Sequence, residues 1–223
     1  MKINLFGFLI LTLTGIALFT AGLQFGVYAR SGTLQTVDLS IAHFFNQNQF
    51  KSLIFFSQIV SSFEVILTLG MIGLFIIFIR RKDKKSAFTV SLAAIAWLVM
   101  KLLKIYFDKP CPSYYGIQEL YWLKFLSGGF LDHIGKSIFP QVCYPSGHTA
   151  NYVVTLGILI FLQDKLSSNK YIRKALQTTF IFLIASVGVS RIILGSHFLS
   201  DVLGGYLFGL GSLLIILSVS QIY

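Results

Sequence analysis

The stretch FEVILTLGMIGLFIIFIRRKDKK, residues 63–85, decides the fold class. Phe63 to Ile79 is apolar almost throughout, and Arg80, Arg81, Lys82, Lys84 and Lys85 close it with positive charge. A hydrocarbon core needs about 20 helical residues at about 1.5 Å rise each, so the stretch reads as a membrane crossing that ends in a charged loop. Working outward, similar apolar blocks lie near Ile3 to Ala29, Ser86 to Phe107, Thr149 to Leu162, Ala175 to Leu194, and Phe198 to Gln221. The fourth block in chain order, Thr149 to Leu162, is short unless it begins near Ser146.

Composition agrees. Of 223 residues, 55% are hydrophobic and only 12% charged, and the mean hydropathy of +0.78 is far above that of a soluble domain. The expectation is therefore an all-α, polytopic membrane protein of six transmembrane helices, forming a single domain over residues 1–223. The first block is longer than the apolar stretch of a signal peptide, so it reads as an uncleaved span. Between the first two spans, Val37, Leu39, Ile41, Phe44 and Phe45 alternate with Asp38, Ser40, His43 and Asn46, and Leu53 to Val60 follow. One or two interfacial helices suit this pattern.

The net charge of +10 reports orientation before it reports a ligand. Arg80 to Lys85 lie in one loop, and Lys165, Lys170, Arg173 and Lys174 lie in another. By the positive-inside rule both loops and both termini are cytoplasmic, leaving residues 30–61, 108–145 and 195–197 outside. The outer ends of the spans then face the extracytoplasmic (periplasmic) side of the cell (inner) membrane. Because orientation explains the basic residues, a nucleic-acid partner is not expected, and no obligate protein partner is evident. Cys111 and Cys143 flank the longest outer segment, where a disulfide can persist; a bridge and two free thiols both fit. In the same segment Tyr114, Tyr115, Tyr121, Trp122, Lys124, His133 and Lys136 suit interfacial anchoring of the loop or contact with a headgroup. Ser61 to Glu64 fits a capping box at the start of the second span, a structural role that is favoured over catalysis.

Three polar clusters fall at the outer ends of the spans. The first is Lys101, Lys104, Asp108 and Lys109. In the second, Pro145-Ser146-Gly147-His148, the outward start of the fourth span offers free N–H groups and a positive dipole end to an anion. Pro145 is compatible with its first turn, the Ser146 hydroxyl adds a donor, Gly147 permits close backbone approach, and His148 can supply a proton. The third holds Ser190, Arg191, His197 and Asp201. A separation of four residues puts His197 and Asp201 on one helical face, so the carboxylate can fix the imidazole tautomer and leave the other nitrogen free to attack. With Lys104 and Arg191 as fixed cations, the set reads as a phosphate cage with two histidines.

These residues resemble the type 2 phosphatidic acid phosphatase superfamily, the histidine phosphatases akin to vanadium haloperoxidases. Its second motif, P-S-G-H, is met at Pro145 to His148, and its third, S-R, five residues, H, three residues, D, at Ser190, Arg191, His197 and Asp201. The first, K, six residues, R-P, is met by Lys104 and Pro112, with Cys111 standing where the motif has Arg. Lys109-Pro110 resembles an extra basic pair seen before the motif Arg in many members, so Lys109 is expected to take over part of the lost charge; alternatively Cys111 is committed to a bridge with Cys143. The resemblance covers about residues 37–205. It implies a mechanism with no metal or other cofactor, in which His197 attacks phosphorus, Asp201 orients it, and His148 protonates the leaving oxygen. Lys104, Lys109, Ser146, Gly147 and Arg191 would bind the phosphate.

The substrate so implied is a lipid phosphate held in the bilayer among membrane lipids: phosphatidylglycerol phosphate, phosphatidic acid, a polyprenyl pyrophosphate or a lipid A phosphate. Two alternatives use the same residues. One is a lipid phosphotransferase with an acceptor other than water, and the other is a non-catalytic lipid-phosphate binder or transporter, against which the retention of both histidines argues.

Overall fold

The computed structural model describes residues 5–120 and 142–222. Among these residues the regular structure is seven α-helices and a 3-10 turn, with no strand. The helices are α1 (Leu5–Arg30), α2 (Gln35–Asn48), α3 (Lys51–Arg80), α4 (Lys84–Phe107), α5 (Gly147–Leu166), α6 (Lys170–Ile193) and α7 (Leu199–Ile222), and the turn is Pro112–Tyr115. Five of the helices, α1, α3, α4, α6 and α7, are long and apolar enough to cross a membrane, and the chain is a multi-pass membrane protein. The sixth expected span corresponds to α5. It has 20 residues, but His148 and Asn151 at its start and Gln163, Asp164 and Lys165 at its end dilute its apolar stretch. It packs against α3, α4, α6 and α7.

Between α1 and α3 the chain forms α2, which buries Asp38 and Ala42 one turn apart. The apolar run after it is not a separate interfacial helix. It opens α3, a helix of 30 residues, roughly ten more than a hydrocarbon core requires. No Gly or Pro interrupts residues 51–69, so nothing breaks the helix there. The capping-box expectation for Ser61 and Glu64 is thereby overturned. Both lie inside α3, where the backbone N–H groups already donate to carbonyls one turn back, and a cap has nothing to satisfy.

Other helix ends follow local chemistry. Asp83 caps α4, accepting from the Ser86 N–H at 3.1 Å and the Ser86 hydroxyl at 2.9 Å. Asn169 caps α6 through the N–H groups of Tyr171 and Ile172 at 2.9 and 3.3 Å. α4 stops at Asp108, which takes a left-handed conformation with φ 47°.

The bundle is tied at both ends. At one end, Lys165 in the last turn of α5 pairs at 2.5 Å with Asp83 between α3 and α4, so the two basic regions meet. At the other, the Tyr144 ring is fully buried, packs edge-on against Phe107 at 4.9 Å between centroids, and donates to the Gly22 carbonyl at 2.7 Å. A side chain at Gly204 would put its Cβ 2.3 Å from that ring, and one at Gly205 2.7 Å from the Ser146 carbonyl oxygen. Glycine at these two positions lets α7 lie directly on the turn that starts α5.

Candidate active site

The turn between α6 and α7 presents His197. Gly195 adopts φ +68°, and the N–H groups of Ser196 and His197 both donate to the Arg191 carbonyl at 3.1 and 3.2 Å. The chain therefore folds back over the end of α6 before α7 begins. Asp201, in the first turn of α7, accepts from the Phe198 N–H at 2.9 Å and faces His197, whose Nδ1 lies 3.5 Å from its Oδ2. No closer partner of Nδ1 exists among the described residues. Long contacts of this kind are common in ligand-free catalytic sites. Burial holds the His197 imidazole far below its ordinary range, at about 3, with the Lys104 and Arg191 charges adding to the effect and Asp201 opposing it. His197 is thus an uncharged base at neutral pH.

Lys109 does something the sequence did not indicate. Its ammonium donates to Asp201 Oδ1 at 2.8 Å, to Asp38 Oδ2 at 3.0 Å and to the Ser200 hydroxyl at 2.5 Å, and it sits 4.8 Å from the centroid of the Phe198 ring. Asp38 in turn accepts from the Ser200 N–H at 2.9 Å and from the Ser200 hydroxyl. All of these groups are buried. Lys109 lies behind Asp201, so its charge acts on the carboxylate that faces His197. Buried ions require such pairing, because an unpaired one costs several kcal/mol, on the order of 3–5.

The second motif meets the third through the Ser146 N–H, which donates to the Asp201 carbonyl at 2.9 Å. Ser146 is the N-cap of α5; its buried hydroxyl accepts from the Thr149 N–H at 3.4 Å and shares a 3.0 Å bond with the Thr149 hydroxyl. Pro145 therefore precedes the cap instead of entering the first turn. A Cβ on Gly147 would lie 3.7 Å from Lys104 Cε, which places the stem of that lysine over the start of α5. Lys101 turns away, 5.1 Å from the centroid of the exposed Trp97 ring. Cys111 and Cys143 form a disulfide, reinforced by the Cys143 N–H donating to the Lys109 carbonyl at 2.9 Å. The bridge joins the segment after α4 to the turn before α5.

His148 reaches a partner on another helix. Its Nε2 lies 2.6 Å from Glu64 Oε2 on α3, and the other oxygen of that carboxylate accepts from Asn151 Nδ2 at 2.8 Å. Arg191 lies close enough to His197 for its charge to help keep that imidazole neutral. Lys104, Ser146, Gly147, His148, Arg191, His197 and Asp201 are thus brought to one end of the bundle. Glu64, Asn151 and Asp38 join them without having been picked out as site residues. Only Glu64 carried a signal, as an ionisable group inside a span. Of the outer aromatic and charged set, Tyr121, Trp122, Lys124, His133 and Lys136 lie outside the described residues, whereas Tyr114 is exposed and the Tyr115 ring stacks edge-on against Phe198 at 5.8 Å.

Cys143, His197 and Asp201 place ligand-type atoms within 4.8 Å of one another. They are a poor donor set for a metal ion: the Cys143 sulfur is spent in the disulfide and both Asp201 oxygens already accept hydrogen bonds.

These features define a class, a polytopic membrane protein with a cation-rich, two-histidine site at one end of its bundle. The PAP2 superfamily matches residues 84–222, and the chain belongs to that superfamily. Its fold is similar to the crystal structure described as that of the first transmembrane PAP2 type phosphatidylglycerolphosphate phosphatase from Bacillus subtilis, with a TM-score of 0.66 and 22% identity over 92% of this chain and 94% of that one. No curated protein sequence matches the chain.

Proposed function

We propose that the protein is a lipid phosphate phosphatase that works through a phosphohistidine on His197, without a metal ion, on the extracytoplasmic face of the cell membrane. The observation that carries this reading is the convergence of His197, Asp201, Lys104 and Arg191 with the start of α5 at the end of a bundle of membrane-length helices. A phosphate there lies at headgroup depth, with the lipid's chains in the bilayer. Phosphatidylglycerol phosphate is the first candidate substrate, because the structural neighbour is named for it.

The chemistry follows from the geometry. Asp201 keeps the Nδ1 hydrogen of His197 in place, so Nε2 carries the lone pair that attacks phosphorus. Lys104, Arg191 and the N–H groups at the start of α5 stabilise the equatorial oxygens as charge builds there. His148 protonates the departing oxygen, and water then cleaves the phosphohistidine. Lys109 contributes through Asp201. In this reading α5 is the sixth span, shielded from lipid by its neighbours, and residues 1–223 act as one domain with both termini cytoplasmic.

The test is phosphate release by purified protein in detergent with EDTA, from phosphatidylglycerol phosphate, phosphatidic acid and a polyprenyl pyrophosphate. Turnover of at least one lipid is expected, with His197→Ala at least about 10³-fold slower. A His197→Ala variant as active as the parent overturns the phosphohistidine; loss of activity in EDTA that added metal restores overturns metal independence.

A further inference from the structure

Glu64 is a polar group at the site that the proposed mechanism does not yet use. It stands on α3, away from all three motifs, yet its carboxylate holds His148 Nε2 at 2.6 Å and Asn151 Nδ2 at 2.8 Å. His148 and Asn151 are three residues apart on α5, so one carboxylate engages two side chains on a single helical face. The register of α3 against α5 at this level has a second lock, since the buried Tyr152 hydroxyl donates to the Val60 carbonyl one turn from Glu64. The His148 and Glu64 side chains are 14% and 22% exposed, enough to leave the pair open to a ligand and too little for water to screen it fully.

We propose that Glu64 is a positioning residue for the general acid, holding His148 by Nε2 so that Nδ1 serves the leaving oxygen. The proposal rests on the phosphatase reading. The site then contains two histidine–carboxylate pairs with opposite tasks: Asp201 takes Nδ1 of His197 and leaves Nε2 to attack, whereas Glu64 takes Nε2 of His148 and leaves Nδ1 to exchange a proton. As the P–O bond breaks, the Nδ1 proton of the His148 imidazolium passes to the departing oxygen and the ring becomes neutral. When water attacks the phosphohistidine, one of its protons returns to Nδ1, and the His197–P bond breaks with its electron pair returning to Nε2. Glu64 keeps the Nε2 hydrogen throughout and its charge offsets that of the imidazolium. Asn151 aims the carboxylate.

A general acid matters only when the leaving group needs a proton, and that separates this role from a purely structural tie between α3 and α5. The experiment compares two substrates, an alkyl phosphate lipid and p-nitrophenyl phosphate, whose phenolate leaves without protonation. The enzymes are the parent, Glu64→Gln, His148→Ala, the double variant and His197→Ala, each checked for monodisperse elution in detergent. Expected is a fall of at least about tenfold in the alkyl-to-aryl rate ratio for Glu64→Gln, within the 10²–10⁴-fold span of general acid catalysis. Adding Glu64→Gln to His148→Ala should cost less than about twofold more. Equal losses on both esters, additive losses in the double variant, or a Glu64→Gln variant that aggregates while Glu64→Asp folds with the parent ratio unchanged overturn this proposal alone. Inactivity of the parent on both esters, or full activity of His197→Ala, overturns the phosphatase reading and this one with it.

Discussion

In the proposed mechanism His197 must be a strong nucleophile in a place that charges poorly. It is buried, and two cations, Lys104 and Arg191, act on it, while Asp201 alone pulls the other way. Its folded-state pKa of about 3 therefore lies below the unfolded value of about 6.5. Between those limits the unfolded chain binds the extra proton, so stability rises with pH across the window. The contribution is complete above about 6.5 and is lost as the pH falls toward 3. For the proposed activity the same shift means that the nitrogen assigned to attack stays unprotonated in mildly acidic solution. With uniformly 15N-labelled histidine, the chain's four imidazoles give separate signals, and the set missing in His197→Ala belongs to His197. Those signals should keep their neutral shifts down to about pH 4.5; a midpoint near the ordinary value, about 6.5, would show that burial does not set the charge of this ring.

At the scale of elements, α2 is held to the site by ions. Asp38 on α2 and Asp201 on α7 share the Lys109 ammonium, and Ser200 links the same groups. Lys109→Met removes the cation and leaves two buried carboxylates facing each other, which should cost about 3–5 kcal/mol and lower the detergent unfolding temperature accordingly. Adding Asp38→Asn removes one of the stranded charges and should restore a large part of that loss, whereas Asp38→Asn on its own, with Lys109 still paired to Asp201, should cost less than Lys109→Met. Strictly additive losses in the double variant would show that the three groups do not act as a unit.

The two histidine pairs also explain what the sequence made legible. His197 and Asp201 are four residues apart, and their pairing is readable from helical period alone. Glu64 and His148 meet across two helices, and Asp38 and Lys109 are 71 residues apart, distances over which only packing decides. The membrane spans were readable because each is an apolar run of known minimum length. The start of α3 was not, because Ser61 and Glu64 carry a capping pattern whose meaning depends on whether the helix has already begun. The role of Lys109 was hidden for a related reason: an ammonium beside a phosphate motif looks the same in sequence whether it faces the ligand or the carboxylate behind it.

For the whole molecule, the decisive variable is which way the bundle faces. The helix ends and turns that carry Arg80 to Lys85 and Lys165 to Lys174 meet through Lys165 and Asp83, so their charges gather at the end opposite His197. In the proposed orientation such a patch is retained on the cytoplasmic side, and the site opens outward, where the Cys111–Cys143 disulfide is also stable. The two native cysteines are joined, which leaves no free thiol to obscure labelling. A cysteine placed at the exposed Gln47 on α2 should react with a membrane-impermeant maleimide on intact cells, and one at the exposed Arg81 should react only after permeabilisation. The reverse pattern would put His197 in a reducing compartment and remove the disulfide as a persistent tie. The segment carrying Lys109 would then have to be held by its ion pairs and the Cys143 to Lys109 backbone bond alone.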